Sequence, residues 1–149
     1  MLKILLAASF LAVVMFAATL TGLARHSERP VAPGKPLFEG AQIDGRTLLL
    51  FQRACQDCHS ENTQWPWYSR IPPVSWMIKK DVDDARRQVN FSKWDVYRPD
   101  ERADLLTRIG VAARTGQMPL PRYTRLHREA VLSSQERQEI YEWSKTRCV

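Results

Sequence analysis

A chain of 149 residues is long enough for one domain with a modest core. Its 44% hydrophobic and 26% charged content excludes a disordered polyelectrolyte. The formal charge of +6 is dispersed among acids, without a Lys/Arg block, which argues against a nucleic-acid binder and for an acidic partner or a membrane surface.

Residues 1–24 read as a targeting element. Lys3 forms a short positive start, Ile4 to Ala24 carries no charge, and Gly22-Leu23-Ala24 offers small residues to a signal peptidase. The same run is long enough to cross a bilayer, so a cleaved signal peptide and a retained membrane anchor both stay open. Either places the remainder outside the cytoplasmic membrane, periplasmic or exported. Loss of residues 1–24 removes only Lys3 and leaves +5. Residues 25–43 follow as an extended linker, marked by Pro30, Pro33 and Pro36 without an apolar period.

Residues 44–149 read as one domain built on four helices, an all-α fold. The first runs from about Asp44, a possible N-cap, to Cys58, with Leu48, Phe51 and Cys55 at helical spacing. Trp65 to Pro73 then holds three prolines in eight residues from Pro66, which excludes a regular helix, and its apolar character suggests that it wraps a hydrophobic object. Ser75 caps a second helix to about Val89, with Ile78, Val82, Ala85 and Val89 on one face. A third starts at Asp100, turns Leu105, Ile109 and Ala112 inward and stops near Gly116. Ser133 and Glu136 match a capping box for the last, which carries Ile140 and Trp143.

The sharpest signal is Cys55-Gln56-Asp57-Cys58-His59. Two thiols separated by two residues on a helical turn reach the two vinyl groups on one porphyrin edge. The adjacent imidazole can then reach the iron, as in covalent c-type haem attachment. Three other readings compete. A zinc site needs two more ligands at matching spacing, and His26, His127 and Cys148 do not pair. A thioredoxin-like pair needs a βαβ context, and a structural disulfide leaves His59 without a role. Cys148 then has no partner, as a free thiol or an intermolecular link.

Met118, in Gly116-Gln117-Met118-Pro119-Leu120-Pro121, lies on a proline-braced loop from which a thioether could complete the iron's coordination. Core filling is the bland alternative for a methionine, and His127 is the competing ligand. Trp65, Trp67, Tyr68, Trp76 and Trp94 read singly as ordinary core and together as a packing surface for a haem, where Tyr68 or a Trp N–H could reach a propionate. Asp83, Asp84, Glu136, Glu139 and Glu142 read as solvated helix faces.

Cys55 to Ser60, Asn62, Trp65 to Ser69, Pro73-Val74-Ser75-Trp76, Asn90-Phe91-Ser92 with Trp94, Met118-Pro119 and Leu132-Ser133 together resemble the small bacterial haem-binding-domain family. That family is related in motif to class I cytochromes c, and the resemblance covers about residues 40–147. It implies a single haem c held by Cys55, Cys58 and His59. By similarity to class I cytochromes, the second ring nitrogen of His59 is expected on a backbone carbonyl near Pro72 or Pro73. Arg128 departs from the Pro that often follows the His in such sequences.

The functional expectation is a mono-haem electron-transfer module with cofactor-binding residues Cys55, Cys58, His59 and Met118, and with an acidic redox partner. The alternatives are a small haem peroxidase, which needs an open iron and a distal acid–base group, or a haem-based sensor with a displaceable sixth ligand.

Overall fold

A computed structural model of the chain describes residues 9–14 and 34–145. Residues 9–14 form a helical stretch, α1. The rest of residues 1–24, where the targeting element is expected, lies outside the described residues, as do His26 and Cys148. Among the described residues, no helix is long and apolar enough to cross a membrane, and none forms a strand.

The all-α expectation is met. The first expected helix is two, α2 (Gly45–Ala54) and α3 (Gln56–His59). The Asp44 carboxylate caps α2 by accepting the Thr47 N–H at 2.9 Å. The break falls at Cys55, whose backbone leaves the helical region at φ −130°. Its carbonyl nonetheless accepts the His59 N–H at 3.0 Å, so the motif closes as a single turn. The second expected helix is α4 (Val74–Gln88), which follows Pro73 and uses no side-chain cap.

The third expected helix is α5 (Pro99–Arg114). Proline suits its first position because the missing N–H would have no intrahelical acceptor there, and Glu101 accepts the Arg98 N–H at 2.8 Å. Gly116 ends the run with a positive φ of 72°, where a side chain would be strained. A short α6 (Pro121–Thr124) follows on the Met118 loop. The last is α7 (Ser134–Lys145), with the expected capping box formed both ways between Ser133 and Glu136. Short 3-10 turns at Trp67–Arg70, Phe91–Val96 and Arg128–Ala130 complete the connections.

Two forces seat α7. Gly110 of α5 lets the helices approach so closely that a Cβ there would run into the Ser144 side chain. Arg46–Glu139 and Arg53–Glu136 ion pairs tie α7 to α2 at 2.9 and 2.7 Å.

The linker reading of residues 25–43 requires correction at its end. Leu37 and Phe38 are buried, Phe38 at 2% exposure. The Phe38 ring stacks on Phe91 at 4.6 Å and meets Phe51, Trp94 and Trp143 edge-on at 4.8 to 5.3 Å. Its N–H donates to the Phe91 carbonyl at 3.0 Å, and its φ of 57° lies in the left-handed region. A β-carbon there costs roughly 1–2 kcal/mol, which the aromatic cluster must exceed. Two apolar residues next to each other create no period, which is why the sequence pattern leaves them in a tether.

Candidate functional site

A cavity of about 380 Å³ opens against the Cys-x-x-Cys-His turn, a size within the range of cofactor sites. Cys55, Cys58 and His59 contribute one part of its lining and Met118 another. Phe51, Val89, Leu105, Ile109, Leu132 and Ile140 supply apolar walls from α2, α5, α7 and the segments between them. All four residues singled out in the sequence therefore face one enclosure.

The loop after His59 is braced on both sides. The Ser60 hydroxyl donates to the Gln56 carbonyl at 2.8 Å and accepts the Asn62 N–H at 3.0 Å. Arg86 of α4 donates to the Ser60 carbonyl and to the Thr63 hydroxyl at 2.9 and 2.8 Å. These bonds hold the turn in place independently of anything bound in the cavity.

His59 Nδ1 lies 3.2 Å from the Val89 carbonyl. A carbonyl only accepts, so Nδ1 carries the proton and Nε2 keeps its lone pair, the tautomer an axial ligand requires. Burial holds the imidazole below its usual pKa of 6.5 and so favours the neutral form. This corrects the expected partner: the carbonyl belongs to Val89, at the end of α4, and not to Pro72 or Pro73.

Burial pushes the Cys55 thiol up to about 12 and the Cys58 thiol up to about 11. Both are free and protonated at neutral pH. A dithiol redox site depends on a depressed thiol pKa, so the environment opposes the thioredoxin-like reading. Among the described residues no group of three or more His, Cys, Asp or Glu side chains converges as a metal site.

His127 is engaged elsewhere. Its Nε2 lies 2.6 Å from the Tyr68 hydroxyl and its Nδ1 3.0 Å from Glu129. Its ring stacks on Tyr123 at 4.2 Å. Tyr123 itself lines the cavity and donates its hydroxyl to Asp57 at 2.8 Å, a link across the motif that the sequence reading missed. Pro121 at the start of α6 was the available signal for a turn that presents Tyr123.

The aromatic expectation is overturned for most of its members. Trp94 is buried in the core, but Trp65, Trp67 and Trp76 are exposed, Trp67 at 76% and Trp76 at 69%. None of the three lines the cavity. No residue of the Trp65–Pro73 segment lines the cavity, and Tyr68 is engaged with His127. At the cavity, Arg122 forms a two-pronged pair with Asp81 at 2.9 and 2.7 Å, and Arg108 is an exposed cation on α5.

Two thiols, an oriented imidazole and apolar walls around one cavity fit a haem. The sequence profile of the haem-binding domain family matches residues 13–146. The chain belongs to this family. This haem-binding domain is also 27% identical over 99 residues to cytochrome c peroxidase Ccp of Escherichia coli strain K12. That match covers 64% of this chain and 21% of the relative, so the chain spans about a fifth of the relative's length. No solved structure matches.

Proposed function

We propose that this haem protein is a mono-haem c-type cytochrome that transfers electrons outside the cytoplasmic membrane. The observation that carries the reading is the single apolar cavity shared by Cys55, Cys58, His59 and Met118. Cys55 and Cys58 would hold the haem through thioether bonds, and His59 Nε2 and the Met118 sulfur would ligate its iron. Bound haem supplies reversible one-electron chemistry at iron. The chain's own contribution is to orient His59 through Val89, exclude water with Phe51, Leu105, Ile109 and Ile140, and offer Arg108 to a carboxylate of the haem. Two protein ligands leave no iron site for substrate, which suits transfer of electrons without bond chemistry.

The likeness to a cytochrome c peroxidase favours a second reading, peroxide reduction at an open iron. The two readings separate on ligand binding: a closed site excludes cyanide and peroxide, whereas an open one takes both.

The primary test is denaturing electrophoresis with haem staining. The wild-type band stains, and replacement of both Cys55 and Cys58 by Ala abolishes the stain. Complete extraction of haem from the wild type by acidified organic solvent would overturn covalent attachment.

A further inference from the structure

A thioether is a neutral ligand on a side chain with three rotatable bonds, so its hold on a metal depends on how firmly its loop is placed. Upstream of Met118 the loop is fixed by the positive φ of Gly116 and by the Met118 N–H on the Ala112 carbonyl at 3.1 Å. Downstream it runs through Pro119 and Leu120 into α6, which has only four residues. A helix of that length does not hold itself together in water. Its position must come from what its side chains grip.

Two consecutive residues of α6 grip the other side of the cavity. Arg122 forks onto both oxygens of Asp81, with Nε and Nη2 at 2.9 and 2.7 Å. Tyr123 donates its hydroxyl to Asp57 Oδ2 at 2.8 Å. The two acceptors belong to the elements that place His59. Asp81 lies on α4, and just past the end of that helix the Val89 carbonyl meets His59 Nδ1 at 3.2 Å. Asp57 is inside the Cys-x-x-Cys-His turn, and its other oxygen accepts the Gln64 N–H at 2.9 Å. Burial, with the Asp57 bond as the next cause, holds the Tyr123 phenol above its usual pKa of 10, so the phenol stays the donor.

Neither contact has a role in the site as described so far. The Arg122 fork is occupied by Asp81, and an ion pair whose arginine is 58% exposed adds little to the stability of a fold. Its place gives it another consequence. Arg122 and Tyr123 stand four and five residues after Met118, so the two contacts together fix the span between the methionine loop and the imidazole.

We propose, on the reading of Met118 as an iron ligand, that Arg122 and Tyr123 are positioning residues that latch α6 to the His59 side of the cavity and so hold the Met118 sulfur on the iron. Opening the latch loosens the downstream end of the loop. The iron–sulfur bond then breaks more readily, the iron keeps its oxidation state, and an added ligand takes the vacated position.

Cyanide titration of the ferric, haem-loaded full chain reads the latch, because cyanide binds the iron only as the sulfur leaves. Tyr123→Phe keeps the ring and removes the bond, and Arg122→Lys keeps the charge and removes the fork. Half-saturation is expected to need at least about tenfold less cyanide in Tyr123→Phe, the scale of a hydrogen bond to a charged group. In Arg122→Lys it is expected to need up to about fivefold less, the scale of an exposed pair. The sulfur-to-iron band is expected to weaken in both, with haem content unchanged. In Met118→Ala there is no sulfur to hold, so adding Tyr123→Phe to it is expected to shift the titration by less than about twofold. If both single variants titrate as wild type while Met118→Ala binds cyanide more tightly, the latch is overturned and Met118 stands as the ligand. An equal gain from Tyr123→Phe with and without Met118 also overturns it, because the hydroxyl then acts on the cavity and not on the sulfur. A Met118→Ala protein with the wild-type spectrum and titration overturns the ligand reading itself, and the latch with it.

Discussion

Met118 and His127 show how position decides between two side chains with similar ligand chemistry. Met118 lines the cavity, and its backbone N–H donates to the Ala112 carbonyl at 3.1 Å, which ties the loop to α5. His127 has both ring nitrogens within hydrogen-bonding reach of Tyr68 and Glu129. Met118→Ala is expected to abolish the weak long-wavelength sulfur-to-iron band of the ferric protein, to lower the reduction potential, and to admit small ligands such as cyanide. His127→Ala is expected to leave all three unchanged. Optical titration of both variants decides the matter; a wild-type spectrum in Met118→Ala would sink the assignment. The motif and the methionine were readable because each is a short pattern of reactive groups. The Val89 carbonyl was not, since every residue carries one and only the fold selects which lies beside His59.

At the scale of elements, the helix signals lie in their ends. Glu136 is held by two contacts, with the Ser133 N–H at 2.7 Å and with Arg53 of α2 at 2.7 Å. The Ser133 N–H, with Arg53 as a smaller cause, keeps its carboxyl below the usual value of 4.5. Its contribution to stability is complete above the unfolded value and disappears as the pH falls through the lower folded value. Glu136→Ala is expected to cost about 1 kcal/mol at pH 7, the usual scale for a lost cap. The difference from wild type should shrink in acid below pH 4.5. Denaturant unfolding of both proteins across that range provides the measurement; a difference that grows in acid would contradict the linkage. Capping boxes span three residues, so this part of the fold was legible. The break at Cys55 was not, because a helical apolar period continues through it.

For the whole molecule, the aromatic cluster around Phe38 joins segments far apart in the chain, from residue 38 to residue 143. Phe38→Ala is expected to destabilise the loaded protein by about 3–5 kcal/mol, as for other large core truncations. Phe38→Gly, although smaller still, should cost no more than Phe38→Ala because the position has a positive φ that glycine adopts freely. At a position with ordinary backbone the order is reversed. Urea unfolding of the two variants checks it, and an Ala variant clearly more stable than the Gly variant would remove the role assigned to the backbone conformation.

The sequence by itself determined the class of fold, the helix ends at Asp44, Gly116 and Ser133, and the four residues Cys55, Cys58, His59 and Met118 that line one cavity. Each of these depends on neighbours within a turn or two, where residue spacing and hydrogen-bonding capacity translate directly into geometry. Tertiary structure alone decided that Leu37 and Phe38 complete the core, that Val89 orients His59, that Tyr123 bridges to Asp57, and that Trp65, Trp67 and Trp76 face outward. An indole is as apolar in sequence whether it ends in a core or on a surface. Its fate is settled by how much buried area the packed helices leave for it, and here Phe38, Trp94 and Trp143 already occupy that interior.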